Sequence, residues 1–218
     1  MPTFGFTHLQ FLLQGAFWTI VLSVCALLGG GLMGLIIALC RISRFSVISG
    51  IAWAYIQVVQ GIPLLVIMFV GYFGLPALGI PVSPLMAATL SMTVWVGAYF
   101  GEFWRGAIQA VPRAQWEAAE CLALTSTQRM FKVIIPQAVR SATPGTVGFM
   151  VQIVKNTSLA SAVSFIDLTR AGQLINNSIF QPFLTFTVVA IIYFVLCYPL
   201  SVLSRRLEKR MARGMRSV

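Results

Sequence analysis

From Ala16 to Cys40 the chain carries no charged side chain, and Arg41 and Arg44 close the run. A hydrocarbon core about 30 Å thick takes roughly 20 helical residues to cross, so this segment is long enough to span a bilayer. In lipid every backbone polar group must be satisfied within the structure, which leaves helices or closed barrels; a run of this length selects the helix. Comparable apolar segments run from Ile51 to Phe73, Leu85 to Ile108, Ser141 to Phe165 and Phe183 to Leu203. The expectation is an all-α integral membrane protein, one domain over residues 1–218, with five transmembrane helices. Composition agrees: 9% of residues are charged and 58% hydrophobic, against about 25% charged in an ordinary globular domain. Met1 to Gln10 lacks a basic region of the kind that opens a cleavable signal, so the first span is expected to be retained.

The net charge of +10 is distributed rather than pooled, which argues against a nucleic-acid partner. Arg41, Arg44, Arg113, Arg129, Lys132 and Arg140 fall on one side of the five spans, together with the C-terminal Arg205, Arg206, Lys209, Arg210, Arg213 and Arg216. Arg170 alone falls on the other. The positive-inside bias therefore predicts a cytoplasmic C-terminus and a periplasmic N-terminus. Cys25, Cys40, Cys121 and Cys197 are scattered, with His8 the only histidine, so neither a disulfide framework nor a metal site is expected. The acids are Glu102, Glu117, Glu120, Asp167 and Glu208, and no catalytic residue is expected among them. None of Lys132, Lys155 or Lys209 follows a glycine, so the chain has no phosphate-binding loop. Any ATP chemistry belongs to another chain.

Within the spans several patterns carry structural or functional meaning. Ala26, Gly30 and Gly34 recur every four residues, a stripe that admits a close helix neighbour or reflects chance glycine usage. Gln60-Gly61-Ile62-Pro63 predicts a kink or break in the second span, and the three prolines between Leu75 and Pro84 predict a turn. Glu102 and Arg105 are spaced to pair on one helix face. The fourth span is expected to be loosened by Pro144, Gly145 and Gly148. Near its middle Gln152, Lys155, Asn156 and Leu159 fall on one helical face. A lysine at that depth costs about 2.5–3.5 kcal/mol on insertion scales and needs protein or water around it. Lys155 can meet a substrate carboxylate, with Asn156 bonding the polar remainder, or it can pair with Glu102. Tyr99 and Glu102 join Gln152, Lys155 and Asn156 as candidate pocket residues. Ser164 and Asp167 suggest the start of an amphipathic helix, Leu168 to Asn176, placed to meet a partner protein or to rest at the membrane interface.

The one sizeable polar stretch between spans runs from about Pro112 to Gln137. Glu117 to Leu124 reads as a short helix with Glu117 and Glu120 near its N-terminus. Thr125-Ser126-Thr127 supplies N-cap candidates for a second, Gln128 to Ile134, which Pro136 is expected to curtail. This knob resembles the EAA loop of ABC-transporter permeases: Glu-Ala-Ala, three residues, Gly, nine residues, Ile, one residue, Leu-Pro. Glu117, Ala118, Ala119 and Pro136 match it, and Val133 and Ile135 are conservative replacements. Ala123 stands where the pattern has Gly. If that Gly makes a bend, the chain must turn elsewhere, for instance at Thr125; if it only permits close packing, Ala serves nearly as well.

The resemblance extends to Gly61-Ile62-Pro63-Leu64-Leu65, Tyr99 to Ala110, and Lys155-Asn156-Thr157-Ser158-Leu159. Together these look like the membrane subunit of a bacterial polar-amino-acid importer with the type I ABC importer permease fold, in the inner membrane. The resemblance implies that Glu117, Ala118, Ala119, Ala123 and Pro136 form the contact with a dimeric ABC ATPase, which binds ATP and Mg. It also implies a second permease subunit, identical or homologous, a periplasmic amino-acid-binding protein, and an amino acid as substrate. A membrane channel or scaffold subunit would keep the five spans but has no use for such a knob. An intramembrane enzyme would need a Ser/His or paired-carboxylate constellation that the spans do not offer.

Overall fold

In the structure, a computed structural model describing residues 4–215, the described residues form helices and connecting turns only. Arg216 of the basic tail lies outside them. Helix α1 spans Phe6–Arg41 and starts well before Ala16. Its first turns are not a free tail, because Leu12 and Ala16 are buried in one cluster with Leu168, Ala171 and Ile175 of α9 (Leu168–Ile179). Thr19 Oγ1 accepts the backbone N–H of Leu168 at 3.2 Å, joining residues 149 apart in sequence. Tertiary packing thus extends a helix whose sequence signal begins later.

The centre of the molecule is the pairing of α1 with α5 (Pro84–Gln109). The small-residue stripe makes it: a Cβ on Gly30 would lie 2.4 Å from Val96 Cβ, and one on Gly34 would lie 2.6 Å from Phe100 Cβ. Only glycine lets the two backbones approach this closely, so the stripe serves packing within the chain. Around it Leu22, Met68, Met92, Val96, Phe100 and Val163 form the main core.

The expected second span is divided. Helix α2 (Ser46–Gly61) ends at an extended Ile62, and α3 (Leu64–Phe69) restarts after Pro63. The Ser46–Gly61 and Leu64–Ala77 segments differ in direction by 101°. Helix α3 continues through a π turn, Val70–Gly74, into α4 (Leu75–Ala77). The proline-rich turn therefore begins later than Leu75.

Pro136, expected to curtail a helix, does not do so, and Pro76, in the expected turn, is followed by one more helical residue, Ala77. Pro76 follows the π turn Val70–Gly74, and Pro136 follows a second one, Met130–Ile134. A proline ring clashes with the carbonyl four residues back. Here that carbonyl, of Tyr72 or Lys132, lies inside a widened turn whose bonds run to the fifth residue. At Pro136 the helix absorbs the proline and carries on. Helix α8 (Ile135–Asn156) accordingly continues the knob directly, and it also runs unbroken through Pro144, Gly145 and Gly148. Pro144 is buried, and its carbonyl accepts Ser204 Oγ of α10 (Pro182–Met215) at 3.0 Å. The real change of direction comes after Val163, where a 3₁₀ turn, Thr157–Val163, that carries on from α8 ends on Ser164 in the left-handed conformation, φ 64°. The run Ser126–Val163 and helix α9 differ in direction by 50°.

Helix α9 is packed into the molecule. Its apolar face is buried against α1 and α10, and Asp167 caps it by accepting the backbone N–H groups of Arg170 at 2.9 Å and Thr169 at 3.1 Å. Tyr193 Oη of α10 donates to the same carboxylate at 3.0 Å. Helix α10 (Pro182–Met215) passes the expected end at Leu203, because the Arg, Leu, Glu and Lys that follow are good helix formers. Helices α1 and α10 are long and apolar enough to cross a membrane singly, and the two bent pairs qualify jointly.

Candidate functional site

Two regions bring the singled-out residues together: the knob and the far end of α8. The knob begins with α6 (Arg113–Cys121), whose N-cap is Pro112. Helix α6 starts earlier than its composition suggested, since the Pro112 conformation launches it at Arg113. Glu117 therefore sits past the first turn, and Glu120 lies near the C-terminus, where the dipole does not favour it. What holds Glu120 is Arg129, paired at 3.3 Å. The Arg129 guanidinium also lies 5.8 Å from the ring centre of Trp116. This clamp ties α6 to α7 (Ser126–Arg129) across the turn.

The turn itself answers the question raised by Ala123. Ala123 adopts φ 53°, so the chain bends at that residue and not at Thr125. Its N–H reaches Glu120 O at 2.9 Å, and the Leu124 N–H reaches Ala119 O at 3.2 Å. These two bonds define a Schellman cap, whose left-handed residue is usually glycine. Alanine here occupies a glycine conformation. Thr125 is, as expected, the N-cap of α7, in a capping box with Gln128: Thr125 Oγ1 accepts the Gln128 N–H at 3.3 Å and Gln128 Oε1 accepts the Thr125 N–H at 3.1 Å. Glu117, Ala118, Ala123 and Pro136 are exposed, whereas Ala119 is buried. The motif thus presents a surface held from beneath by its own packing.

At the other end of α8, Gln152 and Lys155 are exposed and Asn156 is half-buried. The side chains of these three make no hydrogen bond or ion pair among the described residues, while the Lys155 carbonyl accepts Ser158 Oγ at 2.8 Å. Leu159 lies in the 3₁₀ turn, so it leaves the helical face on which spacing had placed it. Tyr99 is half-buried and stacks on Phe149 of α8, ring centres 5.1 Å apart, with Trp95 at 4.8 Å. Phe149 is one turn before Gln152, so Tyr99 meets α8 beside the polar stripe. Glu102 does not pair with Lys155. Both its oxygens are engaged by Arg105, with Arg105 Nε donating to Oε2 at 2.9 Å and Nη2 to Oε1.

Spacing alone did not reveal the Asp167–Tyr193 bond or the Arg44–Ser126 bond of 2.9 Å. Each joins residues from separate elements. An acid beside an otherwise apolar span was the only sequence signal for the first, and the second had none.

This geometry can be set beside known proteins. The chain is 34% identical over 209 residues to the probable glutamine ABC transporter permease protein GlnM of Bacillus subtilis (strain 168), covering 96% of this chain and 97% of that protein. It is 32% identical over 200 residues to the L-cystine transport system permease protein TcyB of the same organism, covering 91% and 86%. A crystal structure of an amino acid ABC transporter with histidines contains a chain that superposes with a TM-score of 0.89 at 33% identity, covering 96% of this chain and 100% of that one. An inward-facing structure of the MetNI methionine ABC transporter shares the fold, with a TM-score of 0.79 at 16% identity over 95% and 99% of the two chains. Residues 30–213 match the family model for the binding-protein-dependent transport system inner membrane component, and the chain belongs to that family of multi-pass membrane permeases.

Proposed function

We propose that this chain is the permease subunit of an inner-membrane ABC importer for a polar amino acid, driven through its knob by a separate ATPase. The observation that carries the reading is a continuity. The helical run from Ser126 through the π turn to Asn156 is about 45 Å long at 1.5 Å per residue. One end lies in the knob and the other bears Lys155. A push on the knob therefore moves the polar stripe as one body, with no loop between them to absorb the motion.

In this reading Glu117, Ala118, Ala123 and Pro136 face the ATPase dimer, which holds ATP and Mg. Lys155 meets the substrate carboxylate. Gln152 and Asn156 bond the polar remainder, and Tyr99 walls the pocket on the α5 side. Glu102 contributes by holding Arg105. Lys155 and Gln152 are exposed on the single chain, which suits a pathway framed with a second permease subunit, identical or homologous. A periplasmic binding protein delivers the amino acid. Glutamine and cystine, named for two relatives, are both polar and both carry the carboxylate this pocket would bind. The distribution of arginines puts the knob and C-terminus in the cytoplasm and the N-terminus in the periplasm.

Replacing Lys155 by Met tests the assignment, because it keeps length and removes charge. Assembly and binding-protein-stimulated ATP hydrolysis should persist while uptake of labelled amino acid is lost. Unimpaired uptake by the variant would remove Lys155 from the pathway.

A further inference from the structure

Two cavities outside the proposed transport path adjoin each other. One is a basic notch of about 460 Å³ between the α1–α2 loop and the knob, lined by Arg41, Ser43, Arg44, Trp116, Ser126 and Arg129. The other is an apolar groove of about 430 Å³ between α1, α5 and α8, with Leu35, Leu39, Trp104, Val139 and Ala142 in its walls. Ile108 lines both, so the groove ends where the notch begins. Leu35, Leu39 and Val139 are each more than 40% exposed, so the groove opens to the outside of the chain.

The notch is arranged for an anion. Arg44 Nη2 donates to Ser126 Oγ at 2.9 Å, which anchors one wall across the loop and the knob. Arg41 Nη1 is held by Ser49 Oγ at 2.9 Å, while its Nε is buried with no hydrogen-bond partner. A phosphate oxygen is the acceptor that an arginine's planar fork fits best. Arg129 already shares its charge with Glu120. Among the described residues, neither Arg41 nor Arg44 forms an ion pair with a carboxylate. The nearby Glu102 has both oxygens taken by Arg105.

We propose that notch and groove together bind one anionic phospholipid, its phosphate on Arg41 and Arg44 and an acyl chain along α1 and α8. Charge complementarity favours an anionic lipid over an apolar protein helix, since the lipid brings an anion to Arg41 and Arg44, which have no carboxylate partner among the described residues. The position also fits: Arg41 ends α1, so the arginines stand where a headgroup sits and the groove lies at acyl depth. The same lipid would touch the α1–α2 loop, α8 and, through Ser126, the knob. The site is independent of which substrate the protein carries.

Native mass spectrometry of the purified full-length permease in its assembled complex tests this, with dioleoyl phosphatidylglycerol or dioleoyl phosphatidylcholine added. Phosphatidylglycerol should be retained in preference to phosphatidylcholine. Arg41→Gln and Arg44→Gln should each weaken its retention roughly fivefold, as expected for one interfacial basic residue. Ala142→Phe, which fills the groove without altering charge, should reduce retention of both lipids. Arg140→Gln, an exposed arginine outside the notch, should change nothing, and millimolar inorganic phosphate should not displace the lipid. Equal retention of the two lipids would overturn the proposal, as would phosphatidylglycerol binding that survives the Arg44 and Ala142 changes. Displacement by inorganic phosphate would reduce the site to a bare anion pocket. A cross-link from Val139→Cys to another protein chain in the membrane would give the groove to that chain.

Discussion

Changing Ala123 to glycine should make the knob more rigid, although it removes a side chain and adds none. Ala123 holds φ 53°, where a Cβ crowds the following carbonyl at a cost of about 1–2 kcal/mol. Glycine relieves this strain but gains freedom in the open state worth about 0.4–1 kcal/mol. The balance is about 0.5–1 kcal/mol in favour of the closed turn, which corresponds to amide exchange roughly two- to fivefold slower. The amides to follow are those of Ala123 and Leu124, which donate to Glu120 O and Ala119 O. Hydrogen–deuterium exchange on a peptide spanning the turn, in the assembled protein, reads both. Ala123→Val is the opposing control, since a β-branched residue is an outlier at positive φ and should speed exchange at the same amides. Unchanged or faster exchange in the glycine variant would show that the turn is unstrained and refute the reasoning.

Three further changes probe other parts of the structure. Glu117→Lys reverses an exposed charge on the knob. It should leave membrane insertion intact while abolishing stimulated ATP hydrolysis, and wild-type coupling would take Glu117 out of the ATPase contact. Gly34→Val places a Cβ 2.6 Å from Phe100 Cβ and should cost about 1–3 kcal/mol by overpacking, seen as a lower thermal midpoint in detergent. Tyr193→Phe removes a donor from the fully buried Asp167 carboxylate. The loss should be about 1.5–3 kcal/mol, with α9 amides the first to lose exchange protection.

Much of this was legible because membrane segments announce themselves by what they lack. The charge-free run to Cys40 placed the end of α1 correctly at Arg41, and Gly61-Ile62-Pro63 marked the break between α2 and α3. The Thr125 cap was equally plain, since its capping-box partner lies only three residues away. What escaped depended on partners distant in sequence. Nothing local says that α1 should begin at Phe6, because the reason is Leu12 and Ala16 meeting α9. Pro136 and Pro144 carry strong local signals for a break, but a π turn accommodates the first, and the structure carries α8 through the second with its carbonyl bonded to Ser204. The reach of Glu102 toward Lys155 was undone by a closer arginine on its own helix.

The bond from Thr19 to Leu168 also sets an order of events. Synthesis at about 5–20 residues per second puts roughly 7–30 s between the appearance of these two residues. Throughout that interval the face of α1 bearing Leu12, Gly15 and Thr19 must wait in the bilayer without its partner. The residues there suit the wait: Leu12 is at home in lipid and Gly15 exposes nothing that needs water. A threonine hydroxyl can bond back to a carbonyl of its own helix until Leu168 arrives. A charged residue at position 19 would resist the long exposure before the contact forms. The face that docks last is therefore built from side chains that tolerate being uncovered first.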